Sequence, residues 1–273
     1  MSAPDGRTNG ALWLIGAGNM GGAMLNGWLA ASGPKRPITV IDPFIAGVPE
    51  GVSLRREIPA GAEQPDILVL AVKPQQLGDV RAAFAGKAGP PRLLLSILAG
   101  VETATLRDAF SAQLTVRAMP NLPVSIGEGV TALYSDDADD AARDEAAGLV
   151  SPLGLVEWID DEALFDAVTA LSGCGPGFLF RFIEAMAEAG EALGLPPEQA
   201  LRLATATVKG SGLLAARSDE GPAILADRVA SPGGSTREGL NVLDDGDALK
   251  ALMRATLAAS AKRNAELAAA ARG

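Results

Sequence analysis

The sequence predicts a doubly wound, mainly parallel α/β domain followed by an all-helical domain, and three observations carry that prediction. Short, nearly continuous apolar runs alternate with helical stretches from residue 11 to 160. The first run leads through a glycine fingerprint directly into a helical stretch. Past residue 160 strand signals nearly vanish, and apolar residues recur at helical spacing.

The runs, in order, are ALWLIG (11–16), ITVID (38–42), ILVLAV (67–72), RLLLSIL (92–98), LTVRAM (114–119), GVTALY (129–134) and GLVEWI (154–159). Strands buried on both faces read this way, because neither face needs polar side chains. Helices are expected over 19–31, 75–85, 103–110 and 139–151. Beyond them EALFDAVTAL, FLFRFIEAMAEAGEAL, PEQALRLATATVKGSGLLAA, GPAILADRV and ALKALMRATLAASAKRNAELAAAA keep the helical period. Pro196 and Pro197 open one of these helices, where the missing N–H would have no partner in any case. The domains are therefore expected at 1–160 and 161–273, the second a helical domain or a helical dimerisation bundle. Its many small side chains suit close helix packing, and the alanine-rich stretch 255–271 is amphipathic enough to be helical.

Composition narrows the function. With 273 residues and 48% of them apolar, a sizeable core is expected. No apolar run of 18 residues is free of charges or turn signals, so no membrane span is expected. MSAPDGRTNG lacks the apolar segment of a signal peptide. A lone cysteine, Cys174, forms no internal disulfide and fits a reducing cytoplasm. A net charge of −10, an aromatic content of 4% and no basic run longer than LRR (54–56) argue against nucleic-acid binding. There is no histidine, which removes the usual acid–base group and, with a single cysteine, the usual zinc sites. No metal is expected: the acidic stretches DDADDAARDE (136–145) and DDGD (244–247) read as helix caps and solvated faces.

Gly16, Gly18 and Gly21 form G-x-G-x-x-G between the first strand and the first helix. The first glycine allows a tight turn, the second lets backbone approach a pyrophosphate, and the third permits close helix–strand packing. The dinucleotide site is expected at Gly16, Ala17, Gly18, Asn19, Met20 and Gly21. Asp42 ends the second strand, where an acid accepts from the adenosine ribose 2′-hydroxyl and repels a 2′-phosphate. No arginine follows closely, Arg55 and Arg56 being the next, so the residues lean towards NADH. AVKP, from Ala71 and Val72 to Lys73 and Pro74, ends another strand and is expected along the same crevice. A second small-residue loop, SPGGST (231–236), stands where a late helix begins. A helix N-terminus of this kind can hold an anion other than the cofactor phosphate.

On several stretches the chain resembles the pyrroline-5-carboxylate reductase family. They are LIGAGNMGGAM (14–24), LAVKPQ (70–75), LSILAGV (95–101), VRAMPNLPVSIGEGVTALY (116–134), LSGCGPGFLFRFIEAMAEAGEALGLP (171–196) and VASPGGSTREGLNVL (229–243). The resemblance implies a Rossmann domain and an all-α dimerisation domain, paired as a homodimer and often as a ring of dimers. It implies reduction of 1-pyrroline-5-carboxylate to L-proline with NADPH, the common family cofactor, or NADH. It further implies that Val229, Ser231, Gly233, Gly234, Ser235 and Thr236 hold the substrate carboxylate and ring nitrogen. The same resemblance implies that Thr236 meets the nitrogen and that Asn121 and Gly175 lie near the substrate. The chain departs from the family pattern at Leu98, Leu122, Cys174, Gly177 and Phe178, and in the DPF that follows its second strand.

The residue inventory agrees with an imine. Reduction of a carbonyl needs a proton donor for the nascent alkoxide. Here histidine is absent, Tyr134 is the only tyrosine, and no lysine lies between Lys87 and Lys209. A cyclic imine nitrogen can already carry a proton, as an iminium, so positioning supplies much of the rate. A six-membered cyclic imino acid and an inactive dinucleotide-binding regulator remain the alternative readings.

Overall fold

A computed structural model describes residues 10–31, 36–59, 61 and 64–272, which divide into two compact units. One runs to Gly173 and takes in the chain from Ala261; the other is Cys174–Ser260.

In the first unit β1 (Leu12–Ile15) leads into α1 (Asn19–Ala30), followed by β2 (Ile38–Ile41), β3 (Ser53–Arg55) and β4 (Ile67–Leu70). Then come α2 (Leu77–Phe84), β5 (Leu93–Ser96), α3 (Thr103–Phe110), β6 (Leu114–Pro120), β7 (Gly129–Tyr134), α4 (Asp140–Val150) and β8 (Gly154–Trp158). One eight-stranded sheet results, in the order β3-β2-β1-β4-β5-β6-β7-β8. Every pairing is parallel except β6 with β7. The doubly wound reading is correct, with β7 and β8 reversed at one side.

Alternation along each strand divides the core into two layers. Leu12 and Leu14 pack with Met24, Trp28 and Leu149 on one face, while Trp13 and Ile15 pack with Phe84, Leu106 and Phe110 on the other. Trp28 is fully buried, and its indole N–H donates to the Leu149 carbonyl at 2.9 Å. The edge strand β3 has no counterpart among the sequence runs. Its three residues are mostly exposed and carry no apolar pattern, and its pairing with β2 alone defines it.

After β8, α5 (Phe165–Val168) continues as a π-turn, Thr169–Gly173, still within this unit. Glu162 fixes that segment. It accepts from the Thr103 N–H at 2.9 Å and pairs with buried Arg117 at 3.1 Å, whose guanidinium lies 4.3 Å from the Phe165 ring centre.

The second unit is helical: α6 (Gly175–Ala192), α7 (Pro197–Arg217), α8 (Pro222–Arg228), α9 (Ser235–Asp244) and the start of α10 (Ala248–Arg272). Its buried cluster consists of Ala187, Ala200 and Ala204, with Ile183 and Met186 beside them. The end of α10 belongs to the first unit, where Ala268 packs so closely on Gly100 that a Cβ there would come within 2.8 Å. Asn264 donates to the Asp166 carbonyl at 3.4 Å.

The acidic stretches act as caps and pairs. Asp139 caps α4 by accepting from the Ala142 N–H at 2.8 Å, and Asp247 pairs with Lys250 and Arg254. By length and composition alone, Glu162–Ala192 is helical, long and apolar enough to cross a membrane, where the sequence predicts no span. Arg181 and Glu184 interrupt it and pair with each other.

Candidate active site

The glycine loop is built as its chemistry requires. Gly16 has φ +88°, and a Cβ there would meet the Ala71 carbonyl oxygen at 2.8 Å. Its N–H donates to the Ile41 carbonyl at 3.0 Å, holding the turn to the end of β2. At Gly21 a Cβ would lie 2.2 Å from the Gly16 carbonyl oxygen, so α1 can sit this close only without one. Gly18 differs: a Cβ there would meet nothing within 4 Å, because that position faces open space. It is also the N-cap of α1, without a side-chain cap, so the first helical N–H groups are left for an anion.

That space is a cleft of about 880 Å³, within the usual size of a cofactor site. Its walls are the C-terminal ends of parallel strands, with Ile15 from β1, Ile41 from β2, Ala71 beyond β4, Ile97 beyond β5, and Met119 and Pro120 from β6. The strand order reverses direction between β1 and β4, the place where open α/β sheets bind ligands. Gly16, Gly18, Asn19, Met20 and Asp42 line it together, as do Val72, Lys73 and Pro74. Ala17 borders it through its backbone N–H, which donates to Asp42 Oδ2 at 2.8 Å. The glycine cradle, the uncapped helix end and the cleft size fit a dinucleotide.

Asp42 is 8% exposed, and both its carboxylate oxygens accept backbone hydrogen bonds. Oδ1 takes the Phe44 N–H at 2.8 Å and the Ile45 N–H at 3.3 Å, while Oδ2 takes Ala17. The carboxylate therefore ties the glycine loop to the turn after β2. Lys73 is exposed in the cleft wall, and its backbone N–H donates to Gln76 Oε1 at 3.0 Å.

Asn121 is buried, and its amide is engaged on both sides. Nδ2 donates to the Ser172 carbonyl at 3.0 Å, and Oδ1 accepts the Val130 N–H at 2.8 Å. It joins the end of β6 to β7 and to the π-turn. Leu98, a departure from the family pattern, points into the core beside Trp13 and Phe84, while its neighbours Ile97 and Ala99 line the cleft. Tyr134 packs edge-on against Phe165, and burial pushes its hydroxyl above the ordinary pKa.

In the second unit Ser231–Gly234 forms a turn before α9, with Gly233 at φ +71°. Gly234 is the N-cap and brings no side chain, so the N–H groups at the start of α9 meet no cap. Ser231, Ser235 and Thr236 are exposed, as is Val229. Gly175 begins α6, where Cys174 accepts a hydrogen bond from Ser260 at 3.3 Å through its sulfur.

Among the cleft residues that the sequence pattern does not place are Phe44 and Arg56. Phe44 is 85% exposed at the tip of the turn after β2, and Arg56 arrives with β3. Pairing of Ile41 with Arg55 could have placed Arg56 near Asp42, had the short edge strand been legible.

The sheet, the glycine loop and the cleft define a dinucleotide-dependent oxidoreductase. Residues 12–100 match the family described as NADP oxidoreductase, coenzyme F420-dependent, and residues 162–267 match pyrroline-5-carboxylate reductase dimerisation. The pyrroline-5-carboxylate reductase of Pseudomonas aeruginosa is 38% identical over 265 residues, 93% of this chain and 95% of that protein. The solved structure of a pyrroline-5-carboxylate reductase from Coxiella burnetii superposes with a TM-score of 0.87 at 32% identity, covering 95% of this chain and 99% of the other. That of Plasmodium falciparum pyrroline carboxylate reductase, with NADP bound, gives 0.78 at 28% identity and covers 94% and 97%. The chain belongs to the pyrroline-5-carboxylate reductase family. It is an oligomer-forming oxidoreductase that uses NAD(P)H.

Proposed function

We propose that this protein reduces 1-pyrroline-5-carboxylate to L-proline. The loop Ser231–Thr236 carries the reading: an uncapped helix N-terminus with an exposed hydroxyl, in a chain whose nucleotide cleft lies elsewhere. The Gly234 N–H closes the turn on the Ser231 carbonyl at 2.9 Å, and the backbone N–H groups at Ser235 and Thr236 hold the substrate carboxylate, favoured by the partial positive charge of the helix end. The Thr236 hydroxyl accepts from the protonated ring nitrogen and orients the C=N bond. Val229, Ser231, Gly233 and Gly175 shape the surrounding backbone, and Asn121 fixes the end of β6 through its two backbone contacts. Gly16–Gly21, Asp42 and Ala71–Pro74 hold the nicotinamide cofactor, which supplies hydride to the imine carbon when bound. No side-chain acid is required, because the iminium nitrogen already carries its proton; this agrees with the absence of histidine.

The test is oxidation of NADH or NADPH in the presence of 1-pyrroline-5-carboxylate. Thr236→Ala is expected to lower turnover about 10- to 100-fold by loosening the reacting geometry, while nucleotide binding persists. Unchanged turnover would remove Thr236 from this role. The assembly proposed is a homodimer, with a ring of dimers as the larger form, and solution mass distinguishes them. A cytoplasmic setting is proposed from the lone cysteine.

A further inference from the structure

We infer that Arg56 is the residue that lets this cleft accept a 2′-phosphorylated dinucleotide in spite of Asp42. Asp42 marks the adenosine end of the cleft, since an acid at the end of the second strand meets the ribose in this fold. By itself it would repel a 2′-phosphate. β3, lying parallel to β2, brings Arg56 to the same end. Its Nη1 donates to the Ile45 carbonyl at 2.5 Å and to the Asp42 carbonyl at 3.3 Å. The guanidinium is thus anchored by one nitrogen to the turn after β2, and the side chain is exposed in the cleft. No carboxylate among the described residues forms an ion pair with it. An arginine held by one edge keeps the remaining donors of its planar fork, which matches a phosphate.

The local charges require such a group. Asp42, Glu57 and Asp79 line the cleft, opposed by Arg56 and Lys73. Lys73 follows β4, whereas Arg56 is bonded to the turn after β2. The three backbone N–H groups on Asp42 turn its carboxylate towards the glycine loop and the Phe44 turn. The carboxylate that would accept from a ribose hydroxyl therefore has three of its acceptor positions taken by backbone, and the residue that favours NADPH is in place. The expectation of NADH preference rests on the sequence distance between Asp42 and Arg56, a distance the β2–β3 pairing removes.

This inference deepens the proposed reductase reading and rests on its cofactor cleft. It is tested by titrating the full-length protein with 2′,5′-ADP and with ADP, no imine being present, in the parent, Arg56→Gln and, as a surface control, Arg55→Gln. The parent and Arg55→Gln are expected to bind 2′,5′-ADP more tightly than ADP. Arg56→Gln should weaken 2′,5′-ADP about tenfold, the loss of one charge-assisted contact, leave ADP within about twofold, and flatten the salt dependence. KM for NADPH should rise accordingly. Retained preference for 2′,5′-ADP in Arg56→Gln, or equal weakening of both nucleotides, overturns the inference. Failure of the reductase reading looks different: neither cofactor is oxidised with 1-pyrroline-5-carboxylate by the parent, whatever the nucleotides do.

Discussion

The two units bury very different cores. The sheet unit encloses Trp13, Trp28, Phe165 and a dense set of leucines almost completely. The helical unit buries four alanines, Ala187, Ala200, Ala204 and Ala230, while Phe180 and Phe182 on α6, Leu214 on α7, Val242 on α9 and Leu252 on α10 stay exposed in the single chain. Hydrophobic burial is the main favourable term in folding, so the first unit contains its own stability and the second does not. What completes the second unit is another subunit, as its match to a dimerisation family indicates. Fold stability and assembly are thus placed in different parts of one chain.

Three substitutions bear on that contrast. The largest effect is expected for Trp28→Ala, which empties a fully buried site and leaves the Leu149 carbonyl without its donor. It should cost about 3–5 kcal/mol in denaturant unfolding. A much smaller loss would mean that the sheet unit leans on the assembly. Phe182→Asp is expected to weaken association by about 2–3 kcal/mol, moving the protein towards monomer in sedimentation. The tryptophan environment of the sheet unit should be unchanged; an unaltered oligomer would place Phe182 off the interface.

The smallest effect concerns the charge cluster at the N-terminal ends of the strands, away from the cleft. Arg92 bridges Asp66 at 2.7 Å and Glu145 at 2.6 Å, and Arg36 also meets Asp66, at 3.0 Å. The hydrogen bonds from Arg92 hold the Asp66 carboxyl below its ordinary value of 3.8, outweighing partial burial. A depressed folded-state pKa means the contribution is present above about 3.8 and is lost as pH falls through the lower, folded value. The cluster is partly exposed, so Arg92→Met should cost only about 1 kcal/mol at neutral pH and raise the midpoint of acid unfolding. Nucleotide affinity should be unaffected.

Legibility followed the range of the interactions. α1, α3, the glycine loop and seven strands were readable because their signals are local, a fingerprint or an apolar run. The role of Gly21 could be stated in advance because one steric fact defines it. Arg56 was not readable as a cleft residue, since only pairing of the exposed Ser53–Arg55 edge brings it to Asp42. The packing of Glu162–Gly173 onto the sheet was equally hidden, resting on Arg117 and Thr103 far back in the chain. At Asn121 the sequence marked the position, but only coordinates show that its amide is spent on Ser172 and Val130.

The end of α10 has a consequence for the order of events during synthesis. Ala268 lies against Gly100, and Asn264 reaches Asp166, so the sheet unit closes on a segment made after the whole of Cys174–Ser260. A nascent chain can form the strands early, but it cannot seal this surface until the helices between have left the ribosome. The nucleotide-binding half begins to fold first and finishes last.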